Sequence, residues 1–405
     1  MSQNSIKGTP FHKSTAARMN SPWWFGWGGY AVPDVYTDLH VELGAIRNGV
    51  SMNEMSPVPK TEIMGPDAER FVEHLLPRNI SAMKVDCAWY APCCNEEGKV
   101  VADGIIFRFG ENHFVFSADN CTKYIKDLAE TYDVTVANVT DEYGILALQG
   151  PGSPAVLADS TSGDCSDLRF GEVRKTEIAG VGVKVARQGF TGELGFEIWV
   201  ERPDGEKVWE AVAASGGSFG IQPAGEYAID VARVEAGLLL ISAEYTGAEI
   251  EEPSADSPPN PIDHVTPYEL NLGHCVKLGK EADFIGRAAL TAELETGPRR
   301  RLVGLEFDAE SIVGLSLKNG WSADISPRVR WDHLNLRHAG EIVGRASSVT
   351  WSPTTSKLIG FGLVPAELAN PGTELCVDWA DYWGSPLGAA PASTCAYPFI
   401  KTNKR

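Results

Sequence analysis

The pattern of hydrophobic residues changes near residue 298, and this change limits most strongly how the chain can fold. Before it, runs with strand-like alternation are followed by runs with helical spacing, which is typical of a fold that mixes strands and helices. After the helix-like FIGRAALTAELE and the sequence GPRRR, short strand-like runs are separated by turn residues. We therefore predict a domain of residues 1–297 with two α/β segments and a β domain of residues 298–405.

Local signals predict several elements of the first domain. The runs GIIFRF and HFVFSA flank the turn residues GEN and predict a hairpin. Asp67 is placed to cap the helix of DAERFVEHLL, and Ser153 is placed to cap a helix that follows Gly150. The Gly-rich run RQGFTGELG predicts a turn between two strands, and EYAIDVARVEAG predicts a helix that ends at Gly237.

The charge balance excludes several classes of partner. The chain has 405 residues, with 35 Lys and Arg against 54 Asp and Glu, for a net charge of −19. Such a surface repels phosphate backbones and anionic lipids, so we expect neither nucleic acid nor membrane as a partner. The sequence shows no secretory signal and no apolar run of about 20 residues, which predicts a soluble, cytoplasmic protein. Eight cysteines without Cys-x-x-Cys spacing predict free thiols and no metal site.

Two segments each have two interpretations. Residues 249–267 are acidic and Pro-rich, and they form either a solvated insertion or a lid. Trp23, Trp24, Trp27 and Tyr30 lie within eight residues of one another. These rings either wall a flat ligand or a methylated cation, or they belong to a segment packed on the core.

The sequence lacks the motifs that indicate nucleotide binding or covalent catalysis by a serine. The turn from Gly189 to Gly195 has the wrong spacing for G-x-G-x-x-G, and a strand follows it rather than a helix. Neither a phosphate-binding G-x-x-x-x-G-K-[ST] loop nor a G-x-S-x-G elbow occurs.

Taken in order, several tracts of the sequence resemble the tetrahydrofolate-dependent aminomethyltransferase family, which includes the glycine cleavage T-protein. They extend over almost the whole chain. They are TPF, GPDAERFVEHLLPRNIS, WYAPCCNEEGKVVADGIIF, ALQGP, RQGFTGELGFEI, RVEAGL, DFIGRAAL and SPTTSKLIGFGLV. The resemblance implies an α+β cloverleaf, in which two α/β segments and a C-terminal β-barrel domain surround a central channel that holds tetrahydrofolate.

The resemblance also implies roles for individual residues. Asp103 matches the catalytic aspartate, which lies near the reactive folate nitrogens and manages charge and protons. Glu197 matches the glutamate that holds the pterin, since a carboxylate can accept two hydrogen bonds from the paired N–H donors of the pterin edge. Tyr90 matches a tyrosine of the folate channel, and Asn120 matches an asparagine on the neighbouring strand. Apart from the resemblance, Tyr245 is a candidate proton source if the donor is a methoxy compound, whose phenolate leaving group needs a proton.

Departures from the T-protein pattern favour a different donor. Ile229 stands where the family has an arginine, Ser56-Pro57 replaces Ser-His, and the acidic insertion is foreign to the T-protein. These features resemble the demethylase branch, so we predict a tetrahydrofolate-dependent methyltransferase. It would move a methyl group from a small methylated substrate, either a methoxyaromatic or a sulfonium or ammonium compound, to folate N5 and give 5-methyltetrahydrofolate. The alternatives are a glycine cleavage aminomethyltransferase and a folate-binding helper without activity.

Overall fold

The computed structural model describes residues 6–249, 263–322, 325 and 328–403. Its helices in chain order are α1 (His12–Arg18), α2 (Leu39–Asn48), α3 (Ala68–Leu75), α4 (Thr122–Leu128), α5 (Ser153–Ser160), α6 (Gly205–Gly216), α7 (Glu226–Glu235), α8 (Arg287–Thr296) and α9 (Ala309–Lys318). Its strands begin with β1 (Lys7–Gly8), β2 (Trp24–Trp27), β3 (Tyr30–Pro33), β4 (Ser51–Glu54), β5 (Lys60–Met64), β6 (Cys87–Cys94), β7 (Val100–Gly110), β8 (His113–Ala118), β9 (Thr135–Asn138) and β10 (Tyr143–Gln149). They continue with β11 (Val173–Ile178), β12 (Val181–Ala186), β13 (Gly195–Glu201), β14 (Gln222–Pro223), β15 (Arg300–Phe307), β16 (Leu334–His338), β17 (Glu341–Ser352), β18 (Lys357–Pro365), β19 (Glu374–Ala380) and β20 (Pro386–Cys395).

Two sheets dominate the part of the chain before residue 298. One has the strand order β6-β7-β8-β5-β9, and the other has the order β11-β12-β13-β10-β4-β14. Apolar residues of α3 and α4 cover the outer face of the first sheet, and those of α5 and α6 cover the outer face of the second. A small sheet of order β1-β3-β2 lies at the N-terminal end.

The inner faces of the two large sheets pack against each other through aromatic rings. Phe107 and Phe109 of β7 contact Trp199 of β13, with ring centroids 4.7 and 5.6 Å apart. Because side chains alternate along a strand, Asp103 shares the inner face with Phe107, and Glu197 shares it with Trp199. The space between the inner faces, beside this layer of Phe107, Phe109 and Trp199, is called the intersheet cleft below.

The C-terminal strands close into a barrel with the order β15-β18-β17-β16-β19-β20. This observation confirms the predicted α+β fold with a C-terminal β-barrel. Helix α8 ends at Thr296 and the first barrel strand begins at Arg300, on either side of the predicted boundary. Residues 250–262 lie outside the described residues, so the two interpretations of the acidic segment stay predictions.

Buried ion pairs join the barrel to the first domain. Arg47 of α2 lies 2.8 Å from Glu235 of α7, and both side chains are buried. Glu235 also accepts a hydrogen bond of 2.6 Å from Ser352 of the barrel. A buried charge is tolerated only when it is paired and hydrogen-bonded, so this network holds α2, α7 and the barrel in one arrangement.

The predicted hairpin and helices are present, but both predicted caps are wrong. Asp67 precedes α3, yet its side chain binds Arg70 at 2.7 Å and accepts the backbone N–H of Asp133 at 3.0 Å. Ser153 is the first residue of α5 rather than its cap, and its hydroxyl donates to the carbonyl of Leu194 at 3.2 Å. In both cases the side chain forms a hydrogen bond with a residue distant in sequence instead of capping the helix, as the local pattern predicts.

The four N-terminal rings do not form one wall. Alternation along β2 places Trp24 and Trp27 on opposite faces, and Trp23 is 64% exposed. Tyr30 is buried, and its hydroxyl donates to Asp141. The structure therefore separates the rings that the ligand-wall interpretation needs together.

No helix of the described residues combines the length and apolar character needed to span a bilayer.

Gly104 lies where β7 and β8 approach too closely for a side chain. A Cβ atom there would stand 2.2 Å from the carbonyl oxygen of Ser117 and 2.6 Å from the Cβ atom of Ala118. We expect Gly104→Ala to lower the free energy of unfolding by about 1–3 kcal/mol, because the strands must separate beside Asp103. The matched control is Gly182→Ala on β12, where no atom lies within 4 Å of the new Cβ. Urea unfolding measures both, and equal stability of the two variants would contradict the close approach.

Candidate functional site

Asp103 is held by two phenol groups. It pairs with Pro92 across the β6–β7 ladder, which brings Tyr90, two residues earlier on the same face of β6, beside it. The Tyr90 hydroxyl donates to Oδ2 of Asp103, and the Tyr245 hydroxyl donates to Oδ1. The structure thus brings Tyr245, 142 residues from Asp103 in sequence, beside Asp103 and Tyr90, two predicted site residues on neighbouring strands.

The surroundings of Asp103 act on its pKa in opposite directions. Burial raises the pKa of Asp103 above its ordinary value, and the negative charges of Asp119 and Glu244 act in the same direction. The two phenol hydrogen bonds lower it, because they stabilise the carboxylate. Burial also raises the pKa of Tyr90 and of Tyr245 well above the ordinary value, so both phenols keep their protons.

A buried ionic network fixes the segment that carries Tyr245. Arg233 of α7 is fully buried and donates to Glu244 at 3.0 Å and to Ser348 of the barrel at 2.7 Å. Glu244 also accepts the backbone N–H of Leu240 at 2.6 Å. The residue next to Tyr245 is thereby tied to both α7 and the barrel. Sequence reasoning missed this network, although an arginine between apolar neighbours of α7, in VARVE, was a visible signal.

Glu197 lies on the inner face of β13 beside a buried lysine. Lys60 is 0% exposed, and its ammonium group donates to the carbonyls of Ser56 and Val58 at 2.8 Å each. The same nitrogen stands 5.7 Å from the ring centre of Trp199. Burial raises the pKa of Glu197 to about 7 and lowers that of Lys60 to about 7, while the opposite charges of the pair partly offset both shifts.

Strand register and the charge of Lys60 together relate Asp103 to Glu197, which lie on the facing inner surfaces of the two sheets. Lys60 pairs with Ser117, and Ser117 pairs with Ile105, so Lys60 is level with a residue two positions from Asp103. Lys60 also interacts electrostatically with Glu197 on the facing sheet. The cleft therefore has an aromatic floor with a carboxylate from each sheet beside it.

Asn120 is not on the strand that the sequence analysis assigned to it. Strand β8 ends at Ala118, and Asn120 is exposed in the turn that leads into α4, with its backbone N–H donating to the side chain of Asp119 at 2.8 Å. Asp119 is the residue of this turn that acts electrostatically on Asp103. The strand is too short by two residues for the predicted placement of Asn120.

The donor set of the cleft fits a folate pterin and does not fit a metal ion. Among the described residues, no group of three or more His, Cys, Asp or Glu side chains could hold a metal. Glu197 offers a carboxylate to the paired N–H donors of a pterin edge, and the neighbouring aromatic layer suits a flat ring. Lys60, missed by sequence reasoning, supplies the positive charge that favours the ionised form of Glu197.

Comparisons with known proteins agree with this fold. The model of the GCVT N-terminal domain matches residues 11–252, and that of the glycine cleavage T-protein C-terminal barrel domain matches residues 300–401. An aminomethyltransferase of Saccharopolyspora erythraea is 33% identical over 380 residues, covering 93% of each chain. That of Bacillus subtilis is 30% identical over 356 residues, covering 87% of this chain and 89% of its own. The crystal structure of glycine cleavage system aminomethyltransferase T from Bartonella henselae superposes with a TM-score of 0.80 at 22% identity, covering 98% of this chain and 99% of its own.

The chain belongs to the glycine cleavage T-protein family. Family membership confirms the prediction of an enzyme that depends on tetrahydrofolate. The relatives are named aminomethyltransferases, which matches the alternative function predicted from the sequence and not the predicted demethylase.

The raised pKa of Glu197 gives a prediction about stability without folate. Between its ordinary value of 4.5 and about 7, the native protein holds a proton that the unfolded chain has lost, so the free energy of unfolding falls as pH rises through this window. A glutamine at this position cannot bind the proton. In Glu197→Gln the free energy of unfolding should therefore fall less steeply with pH, by at most about 1.4 kcal/mol per pH unit. Part of the decline remains, because burial also raises the pKa of Glu54 to about 7.

Urea unfolding from pH 5 to pH 8 measures this slope. Glu201→Gln, at the exposed end of the same strand, is the control for loss of a carboxylate. A Glu197→Gln slope as steep as that of the unmodified protein would show that burial does not act on Glu197 as described.

Proposed function

We propose that this chain is an aminomethyltransferase, which moves a one-carbon unit from an amine-bearing group on a lipoyl carrier protein to tetrahydrofolate. The observation that carries the proposal is the carboxylate of Asp103, each oxygen of which accepts a hydrogen bond from a tyrosine hydroxyl, in the same cleft as Glu197. Relatives of this name, matched over more than nine-tenths of their length, support the substrate class.

Each group of the cleft has a role in this reaction. Bound tetrahydrofolate supplies the nucleophilic nitrogen that accepts the one-carbon unit. Glu197 would accept hydrogen bonds from the pterin edge, and the positive charge of Lys60 would favour the ionised form of that carboxylate. Asp103, fixed in direction by Tyr90 and Tyr245, would stabilise the positive charge that develops during transfer. The aromatic layer excludes water on one side, which strengthens these electrostatic interactions.

Transfer of a methyl group from a small methylated substrate is the second candidate. Ile229 favours it, because this residue is 3% exposed and packs in an apolar cluster where the T-protein pattern has an arginine. A lipoyl carrier or a folate tail that depends on that arginine would lose a contact here. Tyr245, whose phenol is buried beside Asp103, would then donate the proton to a methoxy leaving group.

One experiment separates the two candidates. The pure protein and tetrahydrofolate are incubated either with an aminomethylated lipoyl carrier protein or with a panel of methoxyaryl, sulfonium and ammonium compounds. Ammonia and methylenetetrahydrofolate from the carrier support the proposal, and 5-methyltetrahydrofolate from the panel supports the second candidate. Folate binding without either product would contradict both and favour the helper.

Glu197→Ala tests the folate contact. Loss of a charged hydrogen-bonding partner should weaken tetrahydrofolate binding by about 1.5–3 kcal/mol, which is roughly 10- to 150-fold. Titration calorimetry measures the affinity, and Glu201→Ala on the same strand is the matched control. If the affinity of Glu197→Ala equals that of the control, Glu197 is not part of the folate site.

Asp103→Asn tests the catalytic role. The change keeps the size of the side chain but removes its charge, so turnover should fall by about 10²- to 10⁴-fold while folate affinity changes far less. Single-turnover transfer at saturating folate measures the rate, and a thermal melt corrects for unfolded protein. Asp127→Asn on the exposed face of α4 is the control. If Asp103→Asn retains more than about half of the rate, a purely structural role of this carboxylate is the better description.

A further inference from the structure

The indole N–H of Trp199 is a buried donor without a partner. Trp199 is 2% exposed, and its Nε1 atom makes no hydrogen bond of ordinary geometry within the part of the chain that the structure describes. The indole is nevertheless close enough to Glu197 to lower the pKa of that carboxyl. Leaving a buried N–H unsatisfied costs free energy. This N–H is therefore free to donate to a ligand that Glu197 also contacts.

Three aromatic rings fix the direction of this N–H. Ring centres lie 4.7, 5.6 and 6.0 Å from that of Trp199 in Phe107, Phe109 and Tyr143. A side chain that is packed on several sides keeps one rotamer. The N–H thus stays beside Glu197 before any ligand binds, and binding does not have to order it.

Small side chains leave room for a flat ring beside Glu197. In the strand ladder, Glu197 lies between Ala147 of β10 and Ala186 of β12. Glu197 is partly exposed, and so is Ser117 on the inner face of the other sheet. At the level of Trp199, the aromatic layer closes the cleft. A flat ring held by Glu197 would therefore have the indole at its inner end.

The edge of a pterin carries its hydrogen-bonding groups in a fixed order. The 2-amino group and the N3–H are donors, and the oxygen at C4 beside them is an acceptor. An ionised carboxylate satisfies the two donors but not the oxygen, because it can only accept hydrogen bonds. Matching the whole edge takes a donor next to the carboxylate. Glu197 and the neighbouring N–H of Trp199 supply this combination.

A second buried indole shows that the position of the N–H matters. Trp209 of α6 is 0% exposed, and its N–H also lacks a hydrogen bond within the described residues. Its ring centre lies 5.6 Å from that of Phe11, in the apolar cluster that covers the outer face of the second sheet. Trp209 is therefore a matched control for a buried indole outside the cleft.

We propose that the indole N–H of Trp199 donates to the C4 oxygen of the bound pterin, which makes Trp199 a specificity-determining residue of the folate site. The inference rests on the proposed function for the place of the pterin at Glu197. Trp199 would discriminate against a pterin with an amino group at C4, because two donors would then face each other.

Titration calorimetry with two ligands tests the proposal without turnover. The ligands are tetrahydrofolate and 4-amino-4-deoxytetrahydrofolate, in which an amino group replaces the oxygen at C4. Trp199→Phe should bind tetrahydrofolate about 3- to 10-fold more weakly than the unmodified protein, which is the usual loss for one hydrogen bond. Its affinity for the amino analogue should stay equal or rise, because the lost N–H has no acceptor on that ligand. Equal weakening of both ligands would overturn the proposal and leave Trp199 a packing residue.

Two further proteins separate the N–H from the size of the ring, and a thermal melt shows that each is folded. Benzothienylalanine in place of Trp199 keeps the bicyclic shape and has sulfur instead of the N–H, so it should reproduce the selective loss of tetrahydrofolate affinity. Trp209→Phe should change neither affinity. If the benzothienyl protein binds tetrahydrofolate as tightly as the unmodified protein, or if Trp209→Phe shows the same selective loss, the N–H of Trp199 is not the contact.

The outcome is separable from that of the proposed function. Selective loss of tetrahydrofolate affinity in Trp199→Phe, with no one-carbon transfer from any donor to the unmodified protein's folate, contradicts the proposed function alone. Transfer from the lipoyl carrier, together with equal weakening of both ligands in Trp199→Phe, contradicts the role of Trp199 alone.

Discussion

The packing of Phe107 and Phe109 against Trp199 is the contact on which the candidate site depends. These rings set the separation of two sheets that come from different parts of the chain. Since strands hold their side chains in fixed alternation, this spacing also sets the positions of Asp103 and Glu197. An apolar contact therefore places two carboxylates, and the protein does not need a direct interaction between them.

The barrel contributes to the site without supplying a group to the described contacts of Asp103. Its Ser348 binds Arg233 and Glu244, which lie in the segment that presents Tyr245. Breaking one partner of a buried ionic network costs several kcal/mol, so the position of Tyr245 is expected to be rigid. This rigidity explains why two phenol groups can orient a single carboxylate before any substrate binds.

The sequence predicted the architecture well because its signals are local or shared across a family. The hairpin of β7 and β8 and the helix α7 follow from alternation and helical spacing. The structure places Tyr90 and Tyr245, two of the predicted site residues, in hydrogen-bond contact with Asp103. The burial of Lys60 was not predictable, because a lysine in a polar-looking run carries no sign that its ammonium group meets two backbone carbonyls. The wrong placement of Asn120 has a similar cause, since the exact end of β8 depends on tertiary contacts that no local pattern records.

A crystal structure with a bound folate tests the central claim most directly, namely that Asp103 and Glu197 serve one ligand in the intersheet cleft. The account predicts the pterin beside the aromatic layer, with its N–H edge within about 3 Å of the Glu197 carboxylate and its reactive nitrogens on the side of Asp103. A pterin bound elsewhere, or one whose N–H edge contacts neither carboxylate, would contradict the account.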